Sequence, residues 1–343
     1  MTTKKPTHLE LVAKDPDSYA NKQLAAKERK FAKLAQEALA LEQEDALSSG
    51  NLSFVARWLV HATLPYREPK GNPPPAAWGR TSGNVSMLIQ PGYYQRRVEV
   101  LNARGKPTMK DELMCYGYPY GAYPRLILAW LATEVVKNRN SEKASRTIVL
   151  GDSLVQFMAG LGKHGVTGGE RGTITLLKNQ MQRLFAAQIA ITTDPNAANW
   201  KNAGFRITDE SSLDSFWDPA HPGQQSFWQS EVVLSERFYE NILQNPVPVD
   251  MRIVKSLASS ALAIDIYCWL SYRNACITRE TKVPWEALMQ QFGSEAAKHK
   301  FIEGFKRSLK DVLVLYPEAK VNYDRAGLIL TPSPPSVKKI ARG

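Results

Sequence analysis

The sequence predicts an α+β protein, mainly helical, in which an N-terminal helical arm precedes two domains that share the same order of helices and strands. The same order of helices and strands starts at Pro124 and recurs from Asp250, roughly 125 residues later. Of the 343 residues, 43% are hydrophobic, which is sufficient for a sizeable core. The predicted boundaries are 1–50 for the arm, 51–245 for a first domain with an irregular N-terminal extension and an acidic connector, 246–335 for the second domain and 336–343 for a basic tail.

The arm is predicted from residues 18–47, which are rich in Ala, Lys, Glu and Gln, all strong helix formers. Basic residues fill the first half of this segment and acidic residues the second, and "SSGN" ends it. We interpret it as one exposed, solvated helix. The chain from 64 to 92 is rich in Pro and Gly, which predicts irregular structure around one short strand, "VSMLI".

The first domain becomes regular after the cluster "YGYPYGAYP". The segment "PRLILAWLATEVVK" begins with Pro at a first helical position and has apolar residues at helical spacing. A strand, "RTIVLG", and a helix, "SLVQFMAGL", capped by Asp152, come next. A third helix, "RGTITLLKNQMQRLFAA", and a strand, "QIAITTD", complete the first copy. Residues 194–250 then form the acidic connector, with a strand "SEVVLS", an amphipathic turn "ERFYENIL" and a linker "QNPVPVD".

The second domain repeats this order. The segment "MRIVKSLASSALAIDIYCWLSYRNA" predicts one long helix, "TKVPW" a short strand and "WEALMQQFG" a short helix that ends at Gly293. A third helix over 295–311 precedes a hairpin made of "VLVLYP" and "GLILTP". Helix, strand, helix, helix and hairpin is the order of a winged helix, which is a helix-turn-helix with an appended β-hairpin. The sequence therefore predicts two tandem winged-helix domains.

The third helix of the second domain occupies the position from which such folds read DNA. On a helical wheel Phe301, Phe305 and Leu309 belong to one apolar arc, and the opposite arc is basic. An ordinary amphipathic helix with a cationic solvent face is the alternative. The predicted DNA-binding residues of this helix and its hairpin are Lys300, Lys306, Arg307, Lys310, Lys320 and Arg325.

The third helix of the first domain is the second candidate. Its apolar stripe includes Leu177 and Met181, and its polar side chains face away from that stripe. Asn and Gln can pair in bidentate fashion with adenine, and Arg with guanine, although a plain polar surface is the alternative. The predicted DNA-binding residues here are Arg171, Lys178, Asn179, Gln182 and Arg183.

The charge distribution favours an anionic partner. The formal net charge is +11, and the charges are segregated along the chain. Residues 194–250 carry 3 Lys/Arg against 9 Asp/Glu, whereas residues 251–343 carry 15 against 8. A basic protein with segregated charge is typical of nucleic-acid binding. No apolar run is long enough to span a membrane, no signal peptide is evident, and three scattered cysteines fit a reducing compartment, so we expect a cytoplasmic protein without membrane contact.

No catalytic or metal-binding motif was found in the sequence, so we expect a protein that is not an enzyme and needs no cofactor. The segment "GLGKHG" fits the letters of a dinucleotide fingerprint but follows a helix instead of a strand, which favours a turn. The five histidines are scattered and form no His-x-His pair for a nicking enzyme's metal. Tyr93, Tyr94, Tyr116 and Tyr118 lie in predicted irregular chain, where they are either core residues or platforms for stacked bases.

Several stretches resemble the RepA family of plasmid replication initiators. These are "HATLPYREP", "SMLIQPGYY", "YPYGAYPRLILAWLATEVV", "IVLGDSLVQFMAGLG" and "GGERGTITLLKNQMQRLF", which together span roughly residues 55–190. The later "VDMRIVKSLASSALAIDIYCWLSYR" and "WEALMQQFG" extend the resemblance toward the C-terminus as a pattern. The first fifty residues resemble no family we can name.

The resemblance implies a bacterial, sequence-specific protein that binds repeated double-stranded sites in a plasmid origin. It further implies opening of the adjacent duplex and recruitment of host replication proteins such as the replicative helicase. In related initiators the first domain also mediates dimerisation, so the resting protein is either a monomer or a homodimer. In related initiators the C-terminal winged helix makes the main base contacts. A transcriptional regulator with the same DNA-binding apparatus is the first alternative, and a DNA-processing enzyme, a primase or a nickase, is the second.

Overall fold

Helices and strands both contribute heavily to the structure, a computed structural model, so the expected α+β class is confirmed. Asp152, Arg171 and residues 338–343 of the predicted basic tail lie outside the described residues. The structure describes residues 16–71, 74–101, 105–140, 145–150, 154–162, 167–169, 172–193, 201–211, 231–294 and 296–337.

The described helices and strands are labelled in chain order. The helices are α1 (Pro16–Gln43), α2 (Arg57–His61), α3 (Ala122–Asn138), α4 (Leu154–Gly160), α5 (Thr173–Ala186), α6 (Glu236–Gln244), α7 (Met251–Ser256), α8 (Ala261–Cys276), α9 (Trp285–Phe292) and α10 (Lys298–Leu315). The strands are β1 (Leu52–Ala56), β2 (Trp78–Ser82), β3 (Val85–Gln90), β4 (Tyr93–Leu101), β5 (Pro107–Cys115), β6 (Thr147–Val149), β7 (Gln188–Thr193), β8 (Lys201–Arg206), β9 (Thr208–Ser211), β10 (Glu231–Leu234), β11 (Pro246–Asp250), β12 (Thr281–Pro284), β13 (Val321–Tyr323) and β14 (Gly327–Leu330).

The C-terminal part runs α8, β12, α9, α10, β13 and β14, with an antiparallel sheet in the order β12-β14-β13. Two local predictions for this part are wrong. The predicted long helix is divided into α7 and α8, because Ser260 caps a new start by accepting a hydrogen bond from the Ala263 N–H at 3.2 Å. The predicted strand "VLVLYP" is the end of α10, where Val312 and Leu315 are buried at helical spacing.

The N-terminal part does not repeat the sheet pairing of the C-terminal part. Strand β6 pairs with β10, whereas β7 lies between β3 and β8 in an antiparallel sheet of order β2-β3-β7-β8. The shared order of elements predicted from the sequence therefore corresponds to two different sheet topologies. Pairing partners are set by tertiary contacts, which the order of elements does not specify.

The extension before α3 is more regular than its Pro and Gly content suggested. It contains the hairpin β2–β3, which turns at Gly83 with φ 57°, and the hairpin β4–β5. Only β3 was predicted. We call β4–β5 the ribbon: its two strands of nine residues each pair with each other and with no other described strand. The alternation of Val98 and Val100 with polar residues was the sequence signal for it.

The predicted linker and the described part of the connector, residues 201–211 and 231–250, belong to the folded structure. The segment "QNPVPVD" is not a free linker, because β11 pairs antiparallel with β1, Leu52 opposite Asp250. Helix α6 buries Phe238 and Ile242 in the hydrophobic core. Both segments are short and rich in polar residues or proline, and only their distant partners make them core elements.

The N-terminal arm is a helix, as predicted, but it is not simply solvated. Leu34 is 4% exposed and belongs to the core, and Ala38 and Leu41 pack against it. Their spacing of four and three residues puts them on one face of α1, which lies against α10 and α7. The apolar stripe is short, so the charged residues around it masked it in the sequence.

Candidate nucleic-acid interface

Helix α10 buries one face and exposes the other. Phe305 is fully buried, with its ring 5.9 Å from Trp285 and 5.3 Å from Phe292, both on α9. Phe301, Leu309, Val312 and Leu315 are also buried, and the helix packs against α8. The predicted apolar stripe is therefore in the core, and its packing fixes which side chains face outward.

The outer face of α10 carries Lys300, Arg307 and Lys310, all exposed; we call these three residues the basic strip. Arg307 Nη2 donates to Glu303 Oε1 at 2.8 Å, with side chains that are 71% and 72% exposed. An exposed pair at this spacing contributes only about 0.3–0.5 kcal/mol. An anionic ligand can therefore replace Glu303 as the partner of Arg307 at little cost.

Lys306 lies at one edge of the basic strip and is half-buried. Its ammonium lies 4.1 Å from the ring centre of Tyr323 on β13 and 5.7 Å from that of Trp285. These cation–π contacts hold Lys306 between α10 and the C-terminal hairpin, β13–β14. Tyr323, half-exposed beside this lysine, is a candidate contact that the sequence reasoning missed, although the alternation in "VNY" was a signal for it.

The C-terminal hairpin presents the other two predicted residues. Lys320 precedes β13, Arg325 lies in the turn, and both are exposed. Asp324 shapes this turn by accepting hydrogen bonds from two of its backbone N–H groups, at 2.8 and 2.9 Å. A hydrogen bond from Lys282, together with those from the turn, lowers the pKa of Asp324 below its ordinary value. Lys282, on β12, adds a positive charge here that the sequence reasoning did not single out.

The N-terminal arm borders α10 on the side away from the hairpin. Lys30 Nζ lies 2.5 Å from Asp311 Oδ2, which is on the helical edge next to Lys300 and opposite Lys306. The exposed residues Lys27, Arg29 and Lys33 extend the positive charge along α1. The basic strip thus lies between the arm on one side and the C-terminal hairpin on the other.

Gly304 lies beside the basic strip, on the side of α10 nearer the arm, four residues after Lys300 and three before Arg307. Apart from the backbone of α10 itself and the two adjacent residues, no described atom lies within 4 Å of a Cβ built at this position. Glycine inside a helix costs about 0.5–1 kcal/mol relative to alanine, and no described neighbour requires it here. A glycine at an open position permits close approach of a ligand to the helix backbone.

Helix α5 carries four of the five predicted residues of the first domain on one face, but part of that face is already engaged within the protein. Asn179 is exposed and Gln182 is half-buried, and no described residue hydrogen-bonds to either side-chain amide. Arg183 is half-buried, forms an ion pair with Glu68, and lies 5.3 Å from the ring centre of Tyr120. Lys178 is half-buried and is already engaged in a polar or electrostatic interaction within the protein.

The polar face of α5 meets the base of the ribbon across a cleft of about 560 Å³. The cleft is lined by Tyr94, Gln95, Cys115, Tyr116, Asn179, Gln182 and Arg183. The structure therefore brings three of the predicted residues of α5 together with two of the four tyrosines that the sequence left undecided.

Within the described residues, no group of three or more His, Cys, Asp or Glu side chains is arranged to hold a metal ion. None of the described helices is both long and apolar enough to cross a membrane.

Comparisons with known proteins bear on this arrangement. Among curated proteins, none matches the chain. Among solved structures, the chain is similar to the crystal structure of RctB domains 2-3, with 11% identity, a TM-score of 0.43, and coverage of 79% of this chain and 93% of that one. At that TM-score the likeness carries no conclusion about fold or function. The family model described as plasmid encoded RepA protein matches residues 118–287, from the loop before α3 into α9. The resemblance drawn from the sequence is therefore confirmed: over residues 118–287 the chain matches the family of plasmid encoded RepA proteins.

Proposed function

We propose that this protein is a sequence-specific DNA-binding initiator of plasmid replication that binds repeated sites in the origin. The observation that supports this best is the order α8, β12, α9, α10 and β13–β14 with a β12-β14-β13 sheet, in which α10 exposes the basic strip. That arrangement has the elements of a winged helix. The family match over residues 118–287 supplies the link to plasmids.

In this proposal α10 enters the major groove, and the flanking elements hold the phosphate backbone. The basic strip supplies donors for guanine edges and phosphates, and Gly304 lets the groove approach the helix. Lys320 and Arg325 of the C-terminal hairpin contact the backbone on one side. On the other side, the exposed Lys27, Arg29 and Lys33 of α1 add to the same positive field.

The proposal assigns no catalytic step to the protein. We expect no cleavage of supercoiled origin DNA with Mg²⁺ or Mn²⁺, no covalent protein–DNA adduct and no primer synthesis. A stable tyrosyl adduct, or a labelled primer that depends on this chain, would assign the protein to DNA-processing enzymes instead.

Initiation also requires steps after binding. The proposal includes opening of the duplex beside the repeats and recruitment of the host replicative helicase, as the resemblance implies, and it includes a homodimeric form. A transcriptional regulator with the same fold would bind the repeats but would not maintain an origin. The decisive experiment supplies the protein in trans to a plasmid that carries the origin region alone: retention supports the initiator, and loss of the plasmid alongside repression of a linked promoter supports the regulator.

The reading role of α10 is tested with Arg307→Ala combined with Lys310→Ala. The ratio of affinities for repeat DNA and random DNA is measured across a salt series. Loss of a base contact costs about 1–3 kcal/mol of binding free energy and relaxes the sequence preference. Loss of a phosphate contact weakens the binding of both DNAs and reduces the slope of log affinity against log salt concentration by about one unit. We expect most of the discrimination to disappear.

A matched control replaces two exposed basic residues of the ribbon, Arg96→Ala with Lys110→Ala. This variant loses the same net charge, so it corrects for the general electrostatic effect. Equal loss of discrimination in both variants, or retained discrimination in the α10 variant, contradicts the assignment of base reading to α10.

A further inference from the structure

The cleft between α5 and the ribbon has the chemistry of a nucleobase site. Its aromatic wall is formed by Tyr94 and Tyr116, whose ring centres lie 4.5 Å apart at an interplanar angle of 36°. Its opposite wall is one face of α5, where Asn179 and Gln182 are three residues apart. Its volume of about 560 Å³ is within the range of small-molecule pockets.

The two walls are held in place by contacts that leave the cleft open. The Tyr120 N–H donates to Gln180 Oε1 at 2.9 Å, and the Tyr116 N–H donates to the Gly92 carbonyl at 3.0 Å. Gly92 is required here because a Cβ would lie 2.5 Å from that of Ala186, at the end of α5. The chain is therefore held against α5 on both sides of the ribbon, at Gly92 before it and at Tyr120 after it, so the two walls are in place before any ligand binds.

The polar groups of the cleft match base edges better than phosphates. The side-chain amides of Asn179 and Gln182 each offer a donor and an acceptor, and neither is used by a described residue. Arg183 already forms an ion pair with Glu68 and donates to the Tyr118 carbonyl at 3.3 Å, so its charge is largely neutralised within the protein. Paired donors and acceptors on Asn or Gln complement adenine, which presents N6 and N7 side by side.

The shape of the cleft favours an unpaired base over a duplex. A recognition helix must protrude to reach the floor of the major groove, and here the ribbon base faces the helix across the cleft. A base that is free of its partner can enter and stack on a tyrosine ring, as bases of single strands do on aromatic platforms. We propose that this cleft binds an unpaired adenine base of single-stranded DNA, stacked on the Tyr94–Tyr116 pair and hydrogen-bonded by Asn179 and Gln182.

This inference rests on the proposed function for its source of single strands, since opening of an origin exposes unpaired bases. It uses a surface other than α10. The two proposals can therefore fail separately. Arg307→Ala with Lys310→Ala is expected to impair discrimination between duplexes and to leave binding of single strands unchanged. The cleft variants are expected to impair binding of single strands and to leave duplex discrimination unchanged.

The test measures binding of the full chain to fluorescent single strands of twelve nucleotides, all-dA and all-dT, by anisotropy. We expect the all-dA strand to bind about tenfold more tightly than the all-dT strand, because one good bidentate hydrogen-bonded pair discriminates between bases by about that factor. Asn179→Ala with Gln182→Ala should remove this preference and leave dT binding unchanged. Gln188→Ala removes an exposed amide of β7 outside the cleft and serves as the matched control, with no expected change.

Stacking is tested separately with Tyr94→Ala, which should weaken both single strands by about tenfold. Tyr94→Phe keeps the ring and should bind like the parent, and unchanged discrimination between repeat and random duplex DNA by Tyr94→Ala shows that this variant is folded. Equal binding of dA and dT by the parent chain overturns the assignment of adenine. If none of the cleft variants changes the affinity for either strand, the assignment of the binding site is overturned. Tight binding of free AMP without binding of either strand overturns the single strand as the ligand and assigns a free nucleotide.

Discussion

Arg125 on α3 and Asp265 on α8 form a buried, bidentate ion pair between the two predicted domains. Arg125 Nε and Nη2 donate to the two carboxylate oxygens of Asp265, both at 2.8 Å, and the side chains are 3% and 8% exposed. Arg125 also donates to the backbone carbonyls of Leu64, Pro65 and Gly121. Burial acts to lower the pKa of Arg125, but the facing carboxylate outweighs it, so this pKa is raised. The predicted domain boundary is therefore bridged by a polar contact that is fully enclosed.

The first prediction concerns this ion pair. Asp265→Asn should lower the free energy of unfolding by about 3–5 kcal/mol, because it leaves a buried guanidinium without its counter-charge. Urea denaturation measures the change. Asp111→Asn is the control: its ion pair with Arg97 is exposed, so the change there should stay below about 1 kcal/mol. Equal, small effects of the two substitutions would show that the buried pair does not connect the domains.

The second prediction concerns the arm. Leu34→Ala should lower the free energy of unfolding by about 2–3 kcal/mol, because Leu34 is 4% exposed and packs in the core between α1 and its neighbours. Leu39→Ala on the same helix removes a side chain that is 62% exposed and should change stability by less than about 0.5 kcal/mol. If both substitutions are neutral by urea denaturation, the arm is the solvated helix that its composition suggested.

The third prediction uses Gly304 to separate stability from binding. Gly304→Ala should raise the free energy of unfolding by about 0.5–1 kcal/mol, since alanine favours the helix and the added Cβ meets open space. It should also weaken binding of repeat DNA, because the methyl group projects into the open space beside the basic strip, where the proposal places the DNA. Gly160→Ala, at the end of α4 and equally open, controls for the substitution itself and should leave DNA binding unchanged. Increased stability with unchanged DNA affinity would place the DNA elsewhere.

The fourth prediction concerns alkaline pH. Burial raises the pKa of Tyr316 to about 12 and also raises the pKa of Tyr267 above its ordinary value. Because the folded state holds these protons after an unfolded tyrosine has released them at about pH 10, their stabilising contribution is complete below that pH. It is lost as pH rises from about 10 toward 12, so the urea midpoint should fall steeply in that interval.

Variants assign this pH effect. Tyr316→Phe should flatten the decline, although its lost hydrogen bond with Asn274 lowers stability at every pH. Tyr323→Phe changes a half-exposed ring and should leave the slope as it is in the parent. A midpoint that does not vary between pH 9 and 11.5 would contradict burial of the two tyrosines.

The basic helix shows how far local sequence reasoning reached. The stripe of Phe301, Phe305 and Leu309 was placed correctly, because a helix repeats every 3.6 residues and its buried face is visible as a period. The same period, continued through Val312 and Leu315, contradicted the predicted strand "VLVLYP". A short apolar run of Val and Leu is compatible with a strand or with a helix. Here the buried contacts of Val312 and Leu315 with the core favour the helix.

The sequence by itself determined the amphipathic helices, the positive charge of α10 and the resemblance over the first domain, since each depends on neighbours along the chain. The tertiary structure alone decided the partners of single residues. Lys306 lies between the rings of Tyr323 and Trp285, and Lys30 contacts Asp311. The side-chain amides on α5 face Tyr94 and Tyr116 across the cleft. Such contacts join residues that are distant in sequence, so no local periodicity encodes them. They form because burying one apolar face brings the remaining polar faces together.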